Sequence, residues 1–485
     1  MKQLNIFLCF LLVGSAVLIG LYSIATHSNN ALILSAILFW LNNINYSCGK
    51  FKERSYFFFF NLTFFVFLLG RPMINIIRGE NIEEILYWHY SENFNLWLSM
   101  ELITLSLIFL WIGAVLGNFF INKRLPITYT PPTYKESFYS YNLKWISLTL
   151  FLIAFIAEIM LGMEKIIFIL ANSYTTYYTL FKSRLPYSIY IISTFLQPSL
   201  CLFLITYPSK KQTYSVLFLY VLSTILDLIG GERNPFVLAI LFCLIYFIYR
   251  DYLEDEVKWI SKFEKGMLLL GTPIGLFCLS MINYIRDGVT SDINNFIDAI
   301  IDLIYKQGVT FSWLCSGVSV LKKLPRYGNA NYTFGGIIDY FKYGSIGQKF
   351  FGIESLGNGN SLRHALNGNS MAHQLSYVLL GKKYLDGHGC GSSYLLEVYA
   401  DYGILGICIF SFILGMLLIT AFTFAKRSIS SGTIMLLTIT GTLFMPRSTA
   451  IGGFNFILRM PFWITFFTCM IVSNLFTHKY RKLCG

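Results

Sequence analysis

Three arginines stand at the edges of long apolar blocks: Arg233 in Gly230-Gly231-Glu232-Arg233-Asn234-Pro235, Arg286 in Tyr284-Ile285-Arg286-Asp287-Gly288, and Arg447 in Met445-Pro446-Arg447-Ser448. A guanidinium offers a planar fork of donors that matches paired phosphate or carboxylate oxygens, so arginines at such edges are suited to hold an anion. In the first segment Asn is a preferred helix cap and Pro a preferred first helical residue. A helix start there adds free N–H groups to the anion site, and the two glycines permit close backbone approach. Each arginine also has a plain alternative: snorkelling from a tight turn for Arg233, and local pairing for Arg286 and Arg447, Arg286 with Asp287 for instance.

A fourth segment runs from Gly387-His388-Gly389-Cys390-Gly391-Ser392-Ser393 into an apolar helix that carries Glu397 and Asp401. The two carboxylates are four residues apart and share one helix face. At the mouth of an apolar span they are costly unless they pair or work, so they either hold the arginines or supply a general base for a hydroxyl. His388 is the other base candidate, since imidazole titrates near neutrality; its plain alternative is a solvated loop histidine. Asp227, Glu158 and Glu101 are weaker candidates that neutralise arginines. His364, His373 and Arg363 show no metal-ligand spacing, and Tyr174, Tyr177, Tyr178 and Phe181 either stack on a ligand or form an interfacial belt.

What must position these residues is a membrane-embedded helical frame. Of 485 residues, 55% are hydrophobic and only 13% charged, against roughly 25% charged in soluble domains; the mean hydropathy is +0.59. The expected fold is all-α, a polytopic integral membrane protein of about 12 transmembrane helices. The spans fall at roughly 4–26, 29–45, 55–70, 97–120, 143–163, 188–207, 214–229, 235–249, 266–283, 394–422, 431–446 and 457–477. The first block exceeds the core of a signal peptide and is read as a retained helix. Lys and Arg fall on alternate loops (Lys50 to Arg54; Lys123, Arg124 and Lys135; Lys210 and Lys211; Arg250 to Lys265; Lys426 and Arg427; Lys479 to Lys482), which places both termini in the cytoplasm. The expected organisation is residues 1–283 with nine spans, 284–393 as one large periplasmic loop, and 394–485 with three spans. Within that loop an amphipathic helix is expected from Asp292 to Gly317, capped by Asp292, and turns at 357–361.

The net charge of +12 is scattered among these loops without a basic run or motif, so it reads as topology and excludes a nucleic-acid partner. Ten cysteines include no CxxC and no paired spacing with His, which argues against a zinc site or disulfide scaffold; only Cys315 and Cys390, in the large loop, are placed to pair. No metal site and no cofactor are expected.

With these residues in view, the segments GGERNPF (230–236), KQGVTFSWL (306–314), GHGCGSSYLLEVYADYGILG (387–406) and MPRS (445–448) resemble the bacterial O-antigen polysaccharide polymerases of the Wzy type. The resemblance covers roughly the C-terminal 60% of the chain; the first 200 residues match only in hydropathy. It implies glycosyl transfer at the periplasmic face of the inner membrane, between undecaprenyl-diphosphate-linked glycans as donor and acceptor, with no nucleotide sugar. Membrane lipids are then partners, and a polysaccharide chain-length regulator is an allowed further one. Arg233, Arg286 and Arg447 would hold the diphosphate leaving group, and Glu397, Asp401 or His388 would take the acceptor proton. Two other classes fit twelve spans: an O-antigen ligase, which uses the same lipid donor, and a flippase or other transporter. The latter predicts charges near mid-span, whereas here they gather at span ends.

Overall fold

The structure, a computed structural model, describes residues 2–80, 93–124, 138–172, 176–177, 180–253, 257–287, 296–357 and 359–484. Lys135, Tyr174, Tyr178, Gly288, Asp292 and Asn358 lie outside the described residues, as do the side chains of Lys123, Arg124, Tyr284, Arg286, Asp287, Lys479, Arg481 and Lys482. The described residues form helices and no strand. Among them, 12 helices are long and apolar enough to cross a membrane, as expected for a chain whose backbone polar groups must be satisfied within each span.

In chain order the helices are α1 (Lys2–Thr26), α2 (Asn29–Cys48), α3 (Phe51–Phe64), which passes through a π-turn at Phe65–Leu69 into α4 (Gly70–Arg78), α5 (Asn93–Arg124), α6 (Phe138–Ala171), α7 (Tyr187–Ser193), α8 (Leu196–Ile205), α9 (Lys210–Ile229), α10 (Arg233–Leu253) and α11 (Lys262–Asp287). Shorter helices follow: α12 (Phe296–Gln307), α13 (Val309–Val320), α14 (Gly335–Tyr343), α15 (Ser345–Phe351), α16 (Leu362–Asn367), α17 (Met371–Leu380) and α18 (Lys382–Leu385). Three long helices end the chain: α19 (Tyr394–Ala425), α20 (Ile429–Phe444) and α21 (Met460–Cys484).

Several spans run further than hydropathy suggests. Arg250 cuts the apolar block of α10, yet the helix continues to Leu253 with that arginine buried and partnered from inside the fold. It donates to the Pro208 carbonyl at 3.1 Å and the Tyr246 hydroxyl at 3.0 Å, and its guanidinium lies 4.1 Å from the centre of a Trp259 ring. The π-turn likewise carries the third span from Phe51 through to Arg78. The long segment between α11 and α19 folds into helices and is no passive connection.

The chain divides into two compact units that interleave along the sequence. Unit 1 holds residues 1–121, 260–420 and 442–452. Its α5 and α19 approach to backbone contact: a Cβ on Gly113 would stand 2.0 Å from the Phe412 carbonyl oxygen, and one on Gly415 would stand 2.1 Å from that of Leu110. Small residues at a crossing allow this packing where no hydrophobic drive separates helix from lipid. A buried hydroxyl chain reinforces it, Ser411 donating to Ser106 at 2.9 Å and Ser106 meeting the Tyr394 hydroxyl at 2.6 Å.

Unit 2 holds residues 122–259, 421–441 and 453–485, with α6 packed on α7, α8, α9 and α21. Gly162 of α6 admits Leu226 of α9, whose Cδ1 would lie 2.6 Å from an added Cβ.

Candidate functional site

The first turns of α19 organise unit 1. Glu397 is 0% exposed; its Oε1 accepts from the Ser392 hydroxyl at 2.8 Å and its Oε2 from the Ala450 N–H at 2.8 Å. One turn on, Asp401 accepts from the Tyr332 N–H at 3.0 Å and the Thr333 N–H at 2.6 Å. The shared face expected of the i, i+4 pair is thus used to seat two separate pieces of chain. Gly403 breaks the helix immediately afterwards, with φ of 63°, a conformation open to glycine at little cost. The segment bearing both carboxylates is therefore a short helical piece turned away from the rest of α19.

The chain that Glu397 holds through Ala450 is the one that carries Arg447. Met445–Arg447 forms a single 3-10 turn with Pro446 at its start. Arg447 donates through Nη1 to the Gln307 carbonyl at 3.1 Å and to Thr310 Oγ1 at 3.2 Å. These acceptors flank Gly308, the cap between α12 and α13. Arg71 of α4 meets the same turn: its Nη1 donates to Ser312 Oγ at 2.9 Å, and its guanidinium lies 4.6 Å from the centre of the Tyr305 ring. Arg78 is 5.4 Å from that ring on its own account. Gly308 is required here, because an added Cβ would stand 2.5 Å from Arg71 Cβ. The Arg71 Nε atom is buried without a hydrogen-bond partner, as is that of Arg250.

The glycine-rich approach to α19 passes beside this turn. A Cβ on Gly391 would lie 3.9 Å from the Arg447 carbonyl oxygen. His388 is exposed, and its carbonyl accepts from Asn360 Nδ2 at 2.8 Å. Cys390 and Cys315 are separate buried free thiols and do not pair; burial pushes the Cys390 thiol up to about 12.

The remaining candidates lie on other elements. Arg233 opens α10 in unit 2, so a helix does begin at Gly230-Gly231-Glu232-Arg233-Asn234-Pro235, with Gly231 taking φ of 93° in the preceding turn. Arg286 belongs to the last turn of α11. Asp227 accepts from Lys165 Nζ at 2.8 Å, and that lysine also reaches Glu232 Oε1 at 3.1 Å; the neutralising partner is a lysine, where an arginine was expected. His364 and His373 stack at 4.3 Å between ring centres. Among the described residues no group of three or more His, Cys, Asp or Glu could hold a metal ion.

Sequence reading passed over Arg71. A signal was present, since Gly70-Arg71-Pro72 places an arginine beside a proline at the end of a span, as Pro446-Arg447 does. The hydropathy cut at residue 70 left Arg71 outside the third span and unassigned to any motif.

No curated protein and no solved structure matches the chain. A family model does: that of the O-antigen polysaccharide polymerase Wzy, over residues 4–480. With nearly its whole length covered, and with the membrane-spanning helices that such a protein needs, the chain belongs to the O-antigen polysaccharide polymerase Wzy family.

Proposed function

We propose that this polymerase joins undecaprenyl-diphosphate-linked oligosaccharide repeat units by glycosyl transfer at the periplasmic face of the inner membrane. The observation that carries the reading is the seating of Arg71 and Arg447, from two different spans, on the one turn around Gly308. Glycosyl transfer from a lipid diphosphate forms a bond between the acceptor hydroxyl oxygen and the anomeric carbon. It breaks the bond from that carbon to the diphosphate oxygen, and the leaving diphosphate takes the electron pair. Guanidinium groups held in advance stabilise the charge that develops there and need no reorganisation during the reaction.

The acceptor proton needs a base. Glu397 and Asp401 each use both oxygens on neighbouring chain, which suits positioning. His388, exposed on the glycine-rich approach, is the residue we assign to receive the proton. Arg233 and Arg286 are further proposed diphosphate ligands. A polysaccharide chain-length regulator is a proposed partner, and both termini are proposed to be cytoplasmic.

The test is the lipopolysaccharide ladder of a strain deleted for the gene and complemented with variants. Wild type should restore a ladder from core bearing one repeat unit. Arg71→Lys and Arg447→Lys should leave most core at one unit with protein levels unchanged, because Lys keeps the charge and loses the paired contact. Bare core with accumulated lipid-linked polymer would instead identify a ligase, and normal ladders from both variants would remove the phosphate site.

A further inference from the structure

Unit 2 contains a cavity of about 270 Å³ that the reaction scheme above leaves unused. Its wall carries Glu158 of α6, Gln197 of α8, Tyr220 and Asp227 of α9, and Arg459 and Phe462 beside and in α21. Carboxylates on membrane-spanning helices are expensive and are kept where they pair or work. Asp227 is paired, by Lys165 at 2.8 Å, and that lysine is shared with Glu232 at 3.1 Å. Gln197 is fixed by donating from Nε2 to Thr440 Oγ1 at 3.0 Å. The polar wall is therefore built and held in shape before any ligand arrives.

The chemistry of the wall selects its occupant. Two carboxylates disfavour a phosphate or other anion, and Arg459 in the wall, with Lys165 already paired to Asp227, disfavours a simple cation. Acceptor carboxylates, an amide, a phenol and a guanidinium around an aromatic face complement a neutral ring with many hydroxyls. The volume falls just below the roughly 300–1,000 Å³ typical of small-molecule sites, which suits one ring and is too small for a lipid tail or an oligosaccharide. We infer that this cavity binds a single sugar ring of the glycan substrate, with Glu158 and Asp227 accepting hydrogen bonds from its hydroxyls and Phe462 covering its apolar face. The inference rests on the polymerase reading and adds a glycan subsite to it.

The test uses full-length protein in nanodiscs, titrated with the lipid-free repeat-unit oligosaccharide that mild acid releases from the host strain's own lipid-linked intermediates. Wild type should bind it saturably, and Glu158→Gln and Asp227→Asn should each weaken binding at least tenfold. Arg71→Lys and Arg447→Lys, which belong to the proposed phosphate site, should bind the free oligosaccharide as wild type does. Should the carboxylate variants fail to fold, Gln197→Ala leaves both ion pairs of Lys165 in place and should weaken binding at least threefold. No saturable binding to wild type, binding unaltered in the recovered cavity variants, or displacement by inorganic pyrophosphate would each overturn the inference. The two readings fail separately: binding without polymer in the complemented strain refutes the polymerase assignment, and polymer without binding refutes only the subsite.

Discussion

Glu397 and Ala450 are joined by a 2.8 Å hydrogen bond from the alanine N–H to a completely buried carboxylate oxygen, 53 residues apart in sequence. The bond fixes the chain three residues beyond Arg447, and the other oxygen of the same carboxylate fixes the glycine-rich approach through Ser392. Glu397 thereby sets the spacing between the arginine and the proposed base.

Replacing Glu397 by Ala should damage this arrangement. It removes both acceptors at once, leaving the buried Ala450 N–H and the Ser392 hydroxyl without the carboxylate they meet, at about 1–3 kcal/mol each. Thermal unfolding in detergent should shift down, and the lipopolysaccharide ladder should shorten or vanish. A ladder and melting curve like those of wild type would show that Glu397 positions nothing.

Tyr305 separates stacking from hydrogen bonding at Arg71. The ring lies under both Arg71 and Arg78, whereas its hydroxyl contact with Arg71 is long, at 3.5 Å. Tyr305→Phe should therefore leave polymer length nearly unchanged. Tyr305→Ala removes a cation–π surface worth about 0.5–2 kcal/mol and should reduce polymer severalfold at equal protein level. Equal loss in the two variants would place the effect in the hydroxyl.

The helical frame was legible because spans announce themselves by apolar length, and charged loops set their order. Span ends were less legible: Arg250 looks like a terminus in sequence and is a buried helical residue in the fold, partnered by Pro208, Tyr246 and Trp259. The i, i+4 relation of Glu397 and Asp401 was readable, but their partners were not. Ser392, Ala450, Tyr332 and Thr333 meet them only through tertiary contacts, and three of these four bonds come from backbone N–H groups that carry no sequence signature. Arg71 carried a local signal in Gly70-Arg71-Pro72, but its partners did not, since Ser312 and Tyr305 lie more than 230 residues away.

The α5–α19 crossing should tolerate no side chain at Gly113. An added Cβ would overlap the Phe412 carbonyl at 2.0 Å, and the clash is with backbone, so relief requires the helices to part. Gly113→Leu should break the Ser106–Tyr394 contact and destabilise unit 1 by at least 1–3 kcal/mol, as overpacking does. Gly14→Leu, where nothing lies within 4 Å of the added Cβ, is the control. Size-exclusion profiles and melting temperatures of the two variants decide the point, and equal behaviour would refute the close crossing.

Acid should loosen the segment around His373. Burial and the neighbouring His364 lower its pKa from 6.5 to about 4, and its Nδ1 meets the Tyr384 hydroxyl at 2.8 Å while the Tyr377 ring packs against Tyr384. A folded-state pKa below the unfolded value favours the neutral ring in the fold. The corresponding stability is complete above about pH 6.5 and is lost as pH falls through about 4, because the unfolded segment binds the proton first. Hydrogen exchange over residues 359–388 should accordingly show protection reduced about tenfold between pH 7.5 and pH 5.5, after correction for intrinsic rates. His373→Phe keeps an aromatic ring and removes the titration, so its protection should stay level across that range. A wild-type profile as flat as the variant's would mean that His373 takes up its proton within the folded segment at no expense.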